Sequence, residues 1–280
     1  MFIPNLLLLI ASALNLYFGG DAFDLTDVIE WDVLNWALAL DFWEQWSGLD
    51  LTNCLALELG AANGGLTLWL ARQGVRVVCS DLHGPTPQAR ALHRKYGVED
   101  LIEYRAIDAT NIPYTSHFDL VIFKSMLGDI GRNDRTDLQA KVMEESFRAL
   151  KVGGELWFAE NLQGSVLHRL ARRFIRRGTL WRYLSIGETR HLLKSFSGQQ
   201  YMTAGFLGVF GRAGIFRNAL GAIDRLACNR LFPDHWKYLI VARATKKDTT
   251  RICADEQPHA CGDDVEISAE VLLQSAHNVR

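Results

Sequence analysis

No lysine or arginine precedes Arg72 in this 280-residue chain, although nine aspartates and glutamates do. A secretory leader opens on positive charge, so the apolar start MFIPNLLLLIASALNLYFGG does not read as one. Asn5 and Asn15 interrupt it, which counts against a membrane span of about twenty apolar residues. It is expected to lie on the core or at an interface, with a segment dipping into a membrane as the second reading. Cysteine is scarce and odd in number: Cys54, Cys79, Cys228, Cys253 and Cys261. No disulfide framework follows, and a reducing, cytoplasmic location is expected. Cys253, His259 and Cys261 have no second paired set, so no metal site is expected. Acids nearly vanish between Asn161 and Pro233, where Glu188 and Asp224 face twelve lysines and arginines. No aromatic-basic stacking motif accompanies that excess, which argues against nucleic acid as the partner.

What is present is apolar residue, 49% of the chain, enough to bury a large core in one or two domains. DVIEWDVLNWALALDFWEQW, Asp27 to Trp46, repeats apolar residues three and four apart and reads as one amphipathic helix. Asp27 and Glu30 have capping-box spacing, and the four tryptophans read as packing surface. From Asn53 onward, NCLALELG, RVVCSDL, IEYRAIDA, FDLVIFKSM and GELWFAEN read as strands. Residues 65–73, TPQARALHRKYG and TDLQAKVMEESFRALK read as the helices between them. Such alternation predicts an α/β fold, a mostly parallel central sheet with helices on both faces. HWKYLIVARATK is a final strand, and the segment between Gln163 and Phe232 reads as mostly helical. The expected layout is an N-terminal helical segment over 1–50 packed on the core and an α/β domain over 51–247. That domain carries a helical insertion over about 162–233, and a polar, mobile tail follows over 248–280.

The stretch LALELGAANGG ends a strand in Glu58 and turns through glycine into a helix. In an open parallel sheet the ligand lies beyond the carboxyl ends of the strands. Gly60 lets the backbone turn sharply, and Gly64 and Gly65 let a ligand approach the start of the helix. Asp81 ends the next strand, where its carboxylate can accept from both hydroxyls of a ribose. An adenosine-containing cofactor is therefore expected. A nicotinamide dehydrogenase of the short-chain type is one alternative, since GAANGG is similar to its loop. That chemistry needs Tyr-x-x-x-Lys, and none of the seven tyrosines has Lys four residues later.

The same stretch resembles the class I S-adenosylmethionine-dependent methyltransferases, whose first motif is an acid, an apolar residue and a glycine-rich turn. The resemblance covers about 53–161 and returns at the last strand. It implies a Rossmann-like methyltransferase fold with S-adenosylmethionine bound by Glu58, Gly60, Ala61, Ala62, Gly64, Asp81, Leu82, Asp108, Ala109 and Lys124. Asp81 maps to the ribose acid, Leu82 to the residue packed on adenine, and Asp108 to the acid meeting the adenine amino group. Ala62 departs from the pattern, standing where the family has its middle glycine.

The acceptor is expected at the ends of the fourth and fifth strands, among Lys124, Ser125, Asp129, Glu160, Asn161 and His168. Lys124, Glu160 and His168 are the catalytic candidates, with His168 the natural base. The fourth strand lacks the Asn/Asp-Pro-Pro-aromatic motif that resembles amide and adenine N-methylation enzymes, which favours an O-methyl acceptor. SVLHRLARRFIRRGTLWRYL supplies six arginines and no acid. That points to a small or lipid-linked anionic acceptor, with peripheral membrane contact as a second consequence. A non-catalytic adaptor that keeps the fold and the cofactor motifs is the other alternative.

Overall fold

A computed structural model of the chain describes residues 24–174, 180–211 and 214–247. The apolar opening stretch, the polar tail with Cys253, His259 and Cys261, and Arg176 and Arg177 lie outside the described residues. Three short helices come first: α1 (Leu25–Val28), α2 (Val33–Trp36) and α3 (Leu38–Trp46). Then β1 (Leu55–Leu59), α4 (Gly65–Ala71), β2 (Arg76–Asp81), α5 (Pro87–Lys95), β3 (Ile102–Ala106) and β4 (Phe118–Lys124) follow. The chain continues through α6 (Leu127–Ile130), α7 (Thr136–Ala149), β5 (Leu150–Asn161), α8 (Val166–Arg173) and α9 (Ile186–Leu192). It closes with β6 (Ser197–Ala204), α10 (Gly214–Ile223), a wide turn at Asp224–Cys228, α11 (Asn229–Leu231) and β7 (Leu239–Thr245).

The seven strands form one sheet in the order β3-β2-β1-β4-β5-β7-β6. β1 to β5 are parallel, and β7 runs antiparallel to both β5 and β6. This is the expected α/β architecture. Because successive strand residues point to opposite faces, each central strand feeds two cores. On one face Leu120, Ile122, Trp157 and Ala159 pack with Trp43 and Trp69. On the other, Val121, Phe123, Leu156 and Phe158 pack with Val142 and Met143 of α7. The first face is closed by the N-terminal helices. Trp43 stacks on Trp157 at 6.0 Å and 12°, and its indole N–H donates to the Ala242 carbonyl at 3.1 Å.

Two sequence expectations need correction. The helix expected over 27–46 is broken, because Asp32 adopts a left-handed conformation (φ 49°) and is buried. Its carboxylate accepts from Asn35 Nδ2 at 3.2 Å and from the hydroxyl of Tyr238, the residue before β7, so a distant contact overrides local helix propensity. Asp24 is the cap, accepting from the Thr26 N–H, while Asp27 is drawn off to Lys95 and Tyr96. The second correction is β6. SGQQYMTA sits in the stretch expected to be mostly helical, yet it pairs with β7 as an edge strand.

The tryptophan stack makes the N-terminal segment part of the main core. Trp43→Ala is expected to lower unfolding free energy by about 3–5 kcal/mol, read by urea titration with circular dichroism. A loss under about 1 kcal/mol would mean that α3 docks loosely and that the stack is incidental.

Candidate active site

Strand order reverses between β1 and β4, so the ends of these strands open the crevice in which an open α/β sheet binds ligand. The β1 turn visits left-handed backbone three times, at Gly60 (φ 61°), Ala62 (φ 47°) and Gly64 (φ 75°). At Gly64 a side chain is also barred by contact, since an added Cβ would lie 2.6 Å from the His93 ring. Ala62 takes this conformation in spite of its Cβ, at a cost of about 1–2 kcal/mol. Asp81 holds it there: one carboxylate oxygen accepts from the Ala62 N–H at 3.0 Å and the other from the Leu82 N–H at 2.8 Å. The departure from glycine at Ala62 therefore leaves the turn intact, with its amide turned to the ribose-position acid. Leu82 beside it is 56% exposed, an apolar surface at the mouth of the crevice.

The other expected residues gather along the same edge. Ala61 donates its N–H to the Ser80 carbonyl at 2.9 Å, joining the turn to β2. Asp108 accepts from the Thr110 N–H and hydroxyl through a single oxygen, Oδ1. Ala109 next to it is buried. Glu58 is buried under the turn, where its Oε2 accepts from the Thr67 N–H at 2.8 Å and from the Thr67 hydroxyl. Burial pushes its carboxyl up to about 7, against those hydrogen bonds and the nearby Lys124. Lys124 ends β4 over the Trp36 ring at 5.8 Å. Desolvation lowers its pKa, opposed by the charges of Glu30, Glu58 and Glu160.

Glu160 is fully buried at the end of β5. Its Oε1 accepts from the Met126 and Leu127 N–H groups at 2.5 and 2.6 Å, while Oε2 is buried without a partner. Burial pushes this carboxyl up to about 7. The turn it holds begins at Ser125, a left-handed residue (φ 53°) whose hydroxyl accepts from Asn161 Nδ2 at 2.9 Å. Asp129 pairs with Arg132. His168 does not fit a base. It is 1% exposed, its Nδ1 faces the Ser165 N–H and hydroxyl, and its Nε2 faces the Phe206 carbonyl at 2.9 Å. With both ring nitrogens engaged, it caps α8 and anchors that helix on the 206–210 segment.

Sequence reasoning missed several residues that brace the site. His93 bridges the Tyr104 hydroxyl and the Gly64 carbonyl, both at 2.9 Å. Asn63 donates to Glu30 at 2.6 Å, which ties the N-terminal segment to the glycine turn. An added Cβ at Gly65 would lie 2.4 Å from the Val28 carbonyl oxygen, so α1 presses on the start of α4. The signals for these were weak: a buried histidine on an amphipathic helix, and a glutamate that doubled as a capping residue.

Past β5 lies a cavity of about 510 Å³, lined by Leu162, Val166, Leu184, Ile186, Trp236 and the exposed Arg169 among others. A second hollow of about 320 Å³ shares Gln163 and Arg169 with it and adds Arg172, Arg173 and Tyr183. Arg172 is 8% exposed, lies 3.5 Å over the Tyr183 ring and donates to the Gln163 carbonyl. Burial pulls its pKa down to about 10, with no carboxylate beside it among the described residues. Arg182, by contrast, is neutralised by Asp134 and Glu188. The six arginines are therefore not one solvated row.

These residues suit S-adenosylmethionine. Asp81 keeps acceptor capacity for ribose hydroxyls, Leu82 offers an uncovered apolar surface, and Asp108 Oδ2 is left for a donor. The antiparallel β7 also separates the sheet from the 3-2-1-4-5-6 order of dinucleotide folds. A family model described as a methyltransferase domain matches residues 57–158. Curated proteins give no match. Among solved structures, the chain is similar to a Haemonchus contortus phosphoethanolamine N-methyltransferase 2 bound to phosphomonomethylethanolamine and S-adenosylhomocysteine. That match has a TM-score of 0.53 at 16% identity, covering 76% of this chain and 53% of that enzyme, so the chain spans about half its length. A geranyl diphosphate C-methyltransferase from Streptomyces coelicolor A3(2), bound to Mg2+, geranyl diphosphate and S-adenosylhomocysteine, gives 0.53 at 15% identity over 75% and 78%. The cyclase SpnF gives 0.51 at 17% identity over 75% and 80%. Residues 57–158 thus match a methyltransferase domain, and the sheet has the Rossmann-like methyltransferase fold of these structures.

Proposed function

We propose that this protein O-methylates a small amphiphilic acid, such as a lipid-linked carboxylate, held in the cavity past β5. The observation that carries this reading is the cavity's make-up: apolar walls from Leu162, Leu184, Ile186 and Trp236, with Arg169 at its side. Arg169 and Arg173 have no ion-pair partner among the described residues, and buried Arg172 has no acid beside it. The acceptors named for two of the similar structures also carry phosphate groups.

When bound, S-adenosylmethionine supplies a methyl group already activated by its sulfonium, which leaves as a neutral thioether. An ionised carboxylate oxygen can form the new C–O bond without losing a proton, so alignment does most of the work. That agrees with a site in which His168 is sealed and Glu160 is buried. Asp81, Asp108 and Leu82 would hold the adenosine, and the β1 turn would lie along it. Glu160 acts as a positioning residue, fixing the β4–α6 turn through Met126 and Leu127. Lys124 lies near Glu30, Glu58 and Glu160, whose charges oppose the desolvation of its own.

The decisive experiment is methyl transfer from labelled cofactor to long-chain and short-chain carboxylic acids, with the product identified by mass spectrometry. A base-labile methyl ester is expected, and Arg169→Gln with Arg173→Gln should raise the acceptor KM about tenfold or more while leaving cofactor affinity unchanged. Label appearing only in amines or protein amides would overturn the proposal.

Cofactor binding gives a separate test. S-adenosylhomocysteine should raise the melting temperature, by about 2.7 kcal/mol of stability at one hundred times its dissociation constant, and NAD should not. Asp81→Ala removes both the ribose acceptor and the brace on Ala62, so affinity should fall tenfold or more at charge-assisted bonds of about 1.5–3 kcal/mol. Unchanged affinity in a folded variant would move the adenosine elsewhere.

Glu160 predicts a pH signature. Its carboxyl is raised from 4.5 to about 7 in the fold, so the folded chain holds this proton more tightly than the unfolded one. Its contribution to stability is then present in full below about 4.5 and is lost as pH rises through about 7. Glu160→Gln keeps an acceptor for Met126 and Leu127 but cannot ionise. The fall in melting temperature between about pH 5 and 7.5 should therefore be smaller in the variant. Equal slopes would show that Glu160 stays ionised.

A further inference from the structure

We infer that α8, with α10 as its neighbour, docks this protein on an anionic phospholipid surface. α8 is turned the wrong way round for a helix of a water-facing fold. Its buried side carries His168 and Arg172, while Leu167 (52%), Leu170 (47%) and Phe174 (89%) stand exposed. With Val166 they fall on one face by the three-and-four-residue spacing of a helix, and Arg169 and Arg173 lie along its edge.

A second exposed apolar group belongs to the same region. Ile215 (89%) and Phe216 (56%) open α10. Both helices bear on one segment: His168 of α8 stacks on Phe210 at 5.1 Å, and Arg217 of α10 donates to the Gly211 carbonyl at 2.9 Å.

Charge selects the occupant. Of the twelve lysines and arginines in 161–233, Arg172 is buried, Arg182 pairs with Asp134 and Glu188, and Arg225 lies by Asp41. Arg169 and Arg173 are exposed, and neither acid of that stretch is available to a partner. Glu188 is taken by Arg182 and Ser185, and Asp224 is fully buried on the Leu207 and Gly208 N–H groups. A two-fold dimer through this face would set Arg169 and Arg173 of one copy against those of the other. An anionic bilayer satisfies both halves of the surface, taking the apolar side chains between its acyl chains and the arginines at its headgroups. Val166 and Arg169 also line the cavity past β5, so docking would bring that cavity to the membrane. The docking does not depend on which acceptor is methylated.

The test is sedimentation of the full chain with vesicles, without cofactor or acceptor, so that its outcome is separate from that of the methylation assay. Vesicles of phosphatidylcholine with phosphatidylserine should carry the protein down, and phosphatidylcholine alone should do so at least tenfold less well. Raised salt should weaken the binding, since exposed charges are screened beyond about 8 Å at physiological ionic strength. Leu167→Ser, Leu170→Ser and Phe174→Ser together should lower the affinity at least tenfold, with the melting temperature confirming the fold. Ile215→Ser with Phe216→Ser provides an independent variant should that triple change fail to fold. Three outcomes would overturn the inference: no sedimentation with either vesicle, equal binding to both, or self-association in free solution that the same changes abolish.

Discussion

Carboxylates at the ends of the parallel strands hold the loops of this protein by accepting backbone N–H groups. Glu58 at β1 takes the Thr67 N–H of α4, Asp81 at β2 takes Ala62 and Leu82, and Glu160 at β5 takes Met126 and Leu127. A helix start or tight turn leaves N–H groups without an intrahelical partner, and a buried donor left unpaired is costly. The acids meet that demand at the sheet edge where ligands bind. The result is a rigid rim in which Ala62 and Ser125 keep left-handed conformations that free peptides avoid.

Such a rim has an electrostatic consequence. Glu58 and Glu160 are buried deeply enough that desolvation outweighs their hydrogen bonds, and each is raised to about 7. Lys124 lies among them with its own charge disfavoured by burial. Burial thus moves all three groups toward their neutral forms.

The sequence made the strand–helix alternation of 53–161 legible because each strand is an apolar run closed by its own turn, and the sheet order then follows the family resemblance. Asp81 was readable for the same reason, since it marks the tip of β2, and Asp108 follows two residues after β3 ends. What escaped is what depends on distant partners. The break at Asp32 is fixed by Tyr238, more than two hundred residues away, and nothing local announces it. SGQQYMTA is polar and begins with a serine-glycine pair, so it has little strand signal of its own and forms β6 only because β7 offers an open edge. His168 looked like a base because a lone histidine carries no record of its neighbours. Its role as a cap appears only once Ser165 and Phe206 are placed around it.

The two halves of the site obey different constraints. The glycine-turn side is built from backbone turns and strand tips, whose geometry the fold dictates. The cavity past β5 is built from α8, the start of α9 and the segment before β7, where side-chain choice is free of the sheet's register. One fold similar to this chain belongs to a cyclase, so the scaffold alone does not fix the reaction. Here the freedom has been used asymmetrically. Arg172 is buried against Tyr183, where a guanidinium without a carboxylate partner is costly to keep. Meanwhile Leu170 and Phe174 face outward. Stability alone would favour the reverse arrangement. A buried cation beside a cavity and an apolar surface outside it fit the proposed function, in which an acid with an apolar body is drawn in from an interface.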